Sequence, residues 1–349
     1  MLMTACLLHA CILEEPCRNC PGDDTATLRV QITNTDTTTK TQKTQTGQPT
    51  HTKAPVLRAF SEDVVGDLHV VVFNQTGELT GHAYGSGSSS VYVTTRSGFN
   101  CTVYALVNTA EEGLTRPISR TALLAMTTPD LTNIESIKVN EHLIMSGSLP
   151  ADITAGDNAP ALLPVARLAA RNTLNITCAE GTTLTGYAIR NLPVRSWYIP
   201  RPNANEDDAE DDAVGDDAVN TATEADWLDT PTLTPLSTGP ATYTITFYQY
   251  ENRRGGRTTV GGSTGDPTSQ SQKATYAPDR ATYVELYVNA SGALTTHRLY
   301  LGANAYTNYS VKRNCTYTYI INIGSTALSI TSIGIEGWTP ISGGEDIEL

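Results

Sequence analysis

The chain has 349 residues, enough to bury two ordinary cores, with 17% of them charged and a formal net charge of −13. That balance argues against nucleic acid as a partner and for a self-repelling surface. No run of residues reaches the roughly 18 apolar positions that a membrane helix needs. Phe is scarce (4) and Tyr plentiful (16), and Thr is abundant. Such residues favour pleated, half-buried surfaces, so the expected class is all-β.

The start, MLMTACLLHACILEE, holds an apolar stretch that meets Ala10-Cys11 with Leu8 at the −3 position. It resembles the end of a secretory signal closing on a lipid-attachment cysteine, with Cys11 as the modified residue and Cys6 as the alternative. The stretch is short and lacks a basic beginning, so the expectation is a start codon further upstream. Glu14 and Glu15 resemble the acidic tag of surface-exported lipoproteins in Bacteroides-type bacteria. The plain alternative is a cytosolic protein with an unusual N-terminus. Cys17-x-x-Cys20 has neither a second pair nor histidines at ligand spacing, so it reads as a disulfide or a leader segment rather than a zinc site.

LRVQI follows, with Leu28, Val30 and Ile32 alternating with Arg29 and Gln31 as in a half-buried strand. Residues 33–54 are Thr, Gln and Lys with almost no apolar anchors, a composition that cannot bury enough surface to fold. The linker ends at Arg58, immediately before the apolar body. Strand-like alternation then recurs at 68–73, 91–93, 101–107, 243–250, 282–288, 297–301 and 316–323, separated by turn-rich segments. That spacing suits sandwiches rather than βαβ units. Leu and Ala at helical spacing in 115–126 predict a short helical insertion, and 164–178 reads as one strand connecting two domains. The acidic run 206–217 lacks the fixed Gly and Glu of a calcium loop and reads as a solvated loop.

Catalytic patterns are thin. Gly261-Gly262-Ser263-Thr264-Gly265 fits a nucleophile-elbow formula, but its flanks read as a hairpin loop rather than strand and helix. The six histidines show no paired ligand spacing; His69 and His297 fall in strand runs and are expected at the surface. Cys101, Cys178 and Cys315 sit in or beside strand runs and are expected in the core. No metal, cofactor or enzymatic role is expected.

The stretch LYLGANAYTNYSVKRNCTYTYIINI (299–323) resembles the C-terminal signature of the fimbrillins, the pilins of Bacteroides-type type V fimbriae. ENRRGG (251–256), APDRATYVELYV (277–288), LIMSGSL (143–149), LPVARLAARNTLNI (163–176) and RAF (58–60) resemble further parts of that family, and the likeness runs from residue 25 onward. It departs in the leader, the long linker and the acidic insertion. The resemblance implies two transthyretin-like β-sandwich domains in tandem, at 59–165 and 166–349, behind a leader (1–24) and a removable strand with its linker (25–58).

It also implies export as a lipoprotein to the outer-membrane surface and cleavage between Arg58 and Ala59 by an arginine-specific surface protease. Leu28, Val30 and Ile32 would then leave a groove that another subunit fills by strand addition. The expected donor is the tail 325–349, through Leu328, Ile330, Ile333 and Ile335. Having both a removable strand and a tail, the chain reads first as a shaft subunit, and second as a tip or accessory adhesin with a host or bacterial receptor. A different class of function, a monomeric glycan-binding surface lipoprotein, would use exposed Trp197 and Trp227.

Overall fold

A computed structural model of the protein describes residues 24–34, 62, 64–110, 119–200, 224–258, 265–324 and 327–337. The described chain is all-β. In its N-terminal part the main strands are β1 (Thr25–Asn34), β2 (Asp67–Phe73), β3 (Leu79–Ser86), β4 (Ser90–Arg96), β5 (Gly98–Val107), β6 (Met145–Ile153) and β7 (Ala161–Arg167), and the two-residue strand Gly156–Asp157 pairs with β1. The main strands hydrogen-bond in the order β3-β2-β5-β6-β7-β1-β4.

The two end strands of this sheet close on each other. Thr95 Oγ1 donates to Thr80 Oγ1 at 2.8 Å. A Cβ on Gly81 would lie 2.8 Å from the Thr94 carbonyl, and one on Gly85 would lie 2.4 Å from Val91 Cγ1, so β3 needs glycine to approach β4 this closely. The sheet thereby wraps around one core of Leu68, Val70, Val72, Val93, Val103 and Leu163.

Every residue of β2 is buried, so 68–73 does not alternate between core and surface as expected, and Val70–Phe73 is an unbroken apolar run. Leu68, Val70 and Val72 face the wrapped core, while Val71 and Phe73 face a second cluster. This second cluster joins the two halves of the molecule, bringing in Leu168, Val194, Tyr198 and Tyr250 from the C-terminal part. Helix α1 (Arg120–Leu124) contributes Leu123 to it, and the Ser119 side chain caps the helix by accepting from the Ala122 N–H. The predicted helical insertion is therefore present and has a packing role.

The C-terminal part contains β8 (Ala169–Cys178), β9 (Thr182–Arg190), β10 (Leu236–Gly239), β11 (Thr242–Tyr250), β12 (Tyr283–Ala290), β13 (Ala293–Tyr300), β14 (Cys315–Ile323) and β15 (Leu328–Gly337). One sheet runs β10-β11-β8-β14-β15 and the other β9-β12-β13. Leu174, Phe247 and Ile321 from the first meet Leu184, Leu286 and Leu299 from the second in a sandwich core. The buried Tyr319 hydroxyl accepts from the Gly302 N–H and donates to its carbonyl, so the core keeps its polar atom paired.

Three expectations are corrected here. Segment 164–178 is two strands, not one: β7 and β8 lie in different sheets on either side of Leu168, because that residue turns into the cluster between the halves. The neighbourhood of the Ser263 motif is not all loop, since Gln270–Thr275 forms helix α2, capped by Ser269. His69 is buried rather than exposed, because β2 is covered on both faces. Its Nε2 lies 2.9 Å from the Ala110 carbonyl and its Nδ1 3.2 Å from Nε2 of His82. His297 is half-buried in β13; Cys101 and Cys178 are buried and Cys315 is intermediate.

Candidate functional site

The first strand lies inside the N-terminal sheet, not along its rim. It pairs antiparallel with β4 from Thr25↔Arg96 to Gln31↔Ser90, and parallel with β7 from Val30↔Ala161 to Asn34↔Val165. Neither of these ladders contains a register shift, and the short strand Gly156–Asp157 pairs with Ala26 and Thr27 in a third ladder, one residue out of step with that of β7. The backbone is tied beyond these ladders as well: the Asn158 N–H donates to the Thr27 carbonyl at 3.0 Å, and the Ser97 N–H donates to the Asp24 carbonyl at 2.9 Å.

Period-2 alternation decides which side chains fill the interior. Ala26, Leu28 and Val30 are buried in the wrapped core, and Ile32 packs against it from a partly buried position. Their neighbours across the ladder, Val91, Val93, Leu163 and Val165, form the walls and floor. On the outer face the Arg29 guanidinium sits over the Tyr92 ring, 5.9 Å from its centroid, and that ring is 68% exposed. The three sequence-predicted residues Leu28, Val30 and Ile32 are thus gathered on one face of one strand. Removing that strand would uncover an apolar strip and leave the facing backbone groups of β4 and β7 unpaired, which makes it a template for another strand.

The tail residues lie elsewhere. Strand β15 is the edge of the C-terminal sheet, antiparallel to β14. Leu328, Ile330, Ile333 and Ile335 pair with Ile323, Ile321, Tyr319 and Tyr317, all four of which point into the core. The spacing 328, 330, 333, 335 is not an unbroken alternation. A register shift between Ile320 and Ile321 absorbs Thr331 as an extra residue, so both isoleucine-containing pairs keep to the inner face. Thr331 is fixed by a 2.7 Å bond donated by Asn322 Nδ2. Burial fades along the strand, from Ile330 (buried) to Ile335, which is 41% exposed.

A polar cluster anchors the chain just after the linker. One Glu62 carboxylate oxygen lies 3.1 Å from Arg171 Nη1 and also accepts from the Tyr248 hydroxyl. The Glu62 carbonyl accepts from Arg167 Nε at 3.2 Å. Burial pushes Arg167 down to about 10, with the Glu62 charge acting in the opposite direction, and burial together with the Glu62 bond raises Tyr248. Sequence reading missed Glu62, whose partners lie over a hundred residues away in the chain.

Trp227 is 9% exposed and carries the Arg254 guanidinium 4.6 Å above its ring, so it offers no open face to a sugar. Trp197 is of intermediate burial between buried Ser196 and Tyr198. Cys6, Cys11, Arg58, Ala59, Ser263 and the acidic run 206–217 lie outside the described residues. Among the described residues no three His, Cys, Asp or Glu side chains form a metal-holding group.

A family model described as a domain of unknown function (DUF4906) matches residues 247–321, the stretch from the end of β11 into β14. No curated protein matches the sequence. Among solved structures, a protein assigned to cell adhesion from Parabacteroides distasonis ATCC 8503 is similar with TM-score 0.60 and 16% identity, over 92% of this chain and 99% of the other. The tip fimbrial protein Mfa3 from Porphyromonas gingivalis, in a C-terminally truncated form, is similar with TM-score 0.54 and 14% identity, over 90% and 99%. A fimbrilin from Porphyromonas gingivalis W83 is similar with TM-score 0.54 and 13% identity, over 92% and 99%. The chain has the fold of these fimbrial and adhesion proteins, tandem β-sandwiches included.

Proposed function

We propose that the chain is a structural, non-catalytic subunit of a surface fimbria whose first strand is a removable plug. One observation carries this reading: β1 completes the N-terminal core between β4 and β7, yet is joined to the body only through residues 35–61, which contain Arg58. Cutting after Arg58 would free β1 from its covalent tether while Glu62 keeps the new N-terminal segment on the body. An arginine-specific surface protease is the processing partner. The precursor would be exported as a lipoprotein through Cys11, or Cys6, to the outer-membrane surface. The mature body would hold two domains, 59–165 and 166–349.

The energetics suit strand exchange. Each aliphatic side chain fully buried in the slot is worth about 1.5–3 kcal/mol. Each ladder hydrogen bond adds about 1 kcal/mol. A strand from another fimbrial subunit that reproduced both would replace β1 and hold the subunits together. Head-to-tail repetition of such a contact makes an open filament.

Two roles within a fimbria follow. A shaft subunit would also donate its tail, through Leu328, Ile330, Ile333 and Ile335. A tip or accessory adhesin would only accept a strand and present a surface to a host or bacterial receptor. The second role gains support from the tail's seat on its own sheet. Burial of Trp227 beneath Arg254 weighs against the monomeric glycan-binding reading.

The test is N-terminal sequencing of subunits recovered from fimbriae, with mass spectrometry of the membrane-bound precursor for lipid on Cys11. Assembled subunits should begin at Ala59, and Arg58→Ala should leave a folded chain that does not assemble. Assembled subunits that begin upstream of Leu28 would overturn the removable-plug reading.

A further inference from the structure

We infer that the slot filled by β1 selects a strand with four unbroken alternate apolar positions, supplied by a different chain, and excludes the tail of a second copy of this protein. The inference rests on the removable-plug reading above. It comes from comparing two registers within the same molecule.

Along its antiparallel side the slot is regular: the β1–β4 ladder runs from Thr25 to Gln31 without a register shift, so a strand seated there alternates strictly between core and outer face. On the parallel side Gly156–Asp157 pairs with Ala26 and Thr27, and β7 with Val30 to Asn34; the one-residue change of offset between them lies outside β1. The core side then needs apolar groups at four successive alternate places, those of Ala26, Leu28, Val30 and Ile32. The first of them admits only a small side chain, because Ala26 is fully buried.

The tail has the wrong spacing. Its four aliphatics fall at 328, 330, 333 and 335, and the extra residue Thr331 is absorbed by the shift opposite Ile320 and Ile321 of β14. That shift belongs to β14's ladder, and β4 and β7 have no counterpart. In a regular ladder, Leu328 and Ile330 can face inward only if Ile333 and Ile335 face outward, and the reverse. Across residues 325–349 no more than two successive alternate positions carry Leu, Ile or Val. The tail is matched to its own sheet edge and half-matched to the slot.

The outer face adds a second requirement. Arg29 covers the exposed Tyr92 ring, so the preferred donor carries a basic residue between the positions equivalent to Leu28 and Val30. In the tail registers that seat either aliphatic pair, the corresponding outward residues are Ser329 and Gly334. The donor chemistry is therefore small-x-Leu-basic-Val-x-Ile or its close equivalent.

The experiment uses the full chain, cut after Arg58 with an arginine-specific protease, and native mass spectrometry to follow displacement of the β1 fragment by added peptides. Three peptides are compared: TATLRVQITN, the tail sequence ALSITSIGIEG, and the same tail lacking Thr331, ALSISIGIEG. The first should exchange in. The native tail should bind about ten- to a hundredfold more weakly, filling only two of the three large aliphatic places. Deleting Thr331 gives the unbroken run Leu-x-Ile-x-Ile for the places of Leu28, Val30 and Ile32 and should recover at least tenfold. If the native tail competes as well as TATLRVQITN, or the deletion gains nothing, selection against the tail is wrong while the plug reading stands. If TATLRVQITN itself never exchanges, the plug reading falls and this inference falls with it.

Discussion

Leu28 stands directly opposite Val93 in the antiparallel ladder between β1 and β4, and both side chains are buried in the wrapped core. Truncating Leu28 removes the transfer energy of its side chain and leaves a cavity between two strands that cannot close without breaking their ladders. Leu28→Ala in the uncut chain should cost about 2–5 kcal/mol. Leu236→Ala, at an exposed edge position, should stay within about 0.5 kcal/mol. Urea unfolding of both variants checks this; equal effects would show that β1 contributes little to the precursor's core.

Glu62 joins the segment after the linker to Arg171 and Tyr248 of the C-terminal sheet. Glu62→Ala would leave Arg167 buried at the junction without the adjacent carboxylate that favours its charge. Breaking a buried pair costs about 3–5 kcal/mol, but Arg171 is 38% exposed and solvent screens its share, so about 2 kcal/mol is expected. A double-mutant cycle with Tyr248→Phe should show coupling, because both substitutions act on the same hydroxyl–carboxylate bond. Strict additivity would mean that the bond contributes nothing.

Lys273, on α2, is fully buried, donating to the Tyr300 and Asn304 carbonyls and lying 5.0 Å from the Tyr309 ring centroid. Burial pushes its ammonium down to about 7 from 10.5. Between those two values the unfolded chain binds the proton and the folded chain has lost it, so stability should rise with pH across that window. Below about pH 7 both states hold the proton and the full burial cost applies. The urea midpoint should be higher at pH 8 than at pH 6.5, and Lys273→Met should flatten this dependence. Burial also raises the thiols of Cys101, Cys178 and Cys315, which lower stability only as the pH nears their ordinary value of 9.0, and the tyrosines act only above about 10, so neither confuses a comparison that stops at pH 8. An unchanged slope in Lys273→Met would show that the lysine stays charged throughout.

Strand identity was legible wherever apolar residues alternate, as in Leu28, Val30 and Ile32, because the period of a half-buried strand is local information. The helix over Arg120–Leu124 was legible for the same reason at a longer period. What stayed hidden depends on partners distant in the chain. The unbroken run Val70–Phe73 fits a strand covered on both faces, but nothing near His69 names its partners, His82 and the Ala110 carbonyl. Nothing in Ser269 to Thr275 outweighs its polar composition, since α2 is held by Gln270 and Lys273 reaching the carbonyls of Tyr300, Asn304 and Ala305. The walls of the slot, Val91, Val93, Leu163 and Val165, come from two strands that meet only through β1. In the tail, both aliphatic pairs were visible, but the bulge that places them on one face belongs to the pairing with β14 and cannot be read from β15 alone.

That bulge leads to the last prediction. Deleting Thr331 from the full chain removes the residue that the register shift absorbs. The shortened strand would alternate as Leu-x-Ile-x-Ile-x-Ile, and its four aliphatics would still meet Ile323, Ile321, Tyr319 and Tyr317 through a regular ladder. The loss of the Asn322–Thr331 bond at an exposed position should cost no more than about 1 kcal/mol. The variant should therefore fold like the parent while acquiring a tail whose period matches the slot. After cleavage at Arg58 the parent should stay a single subunit unless a foreign donor is added, whereas the deletion variant should form concentration-dependent oligomers. Sedimentation of both proteins before and after cleavage distinguishes the outcomes. Parent chains that polymerise by themselves as readily as the variant would show that the extra residue does not bar self-donation, and would return the chain to the role of a shaft subunit.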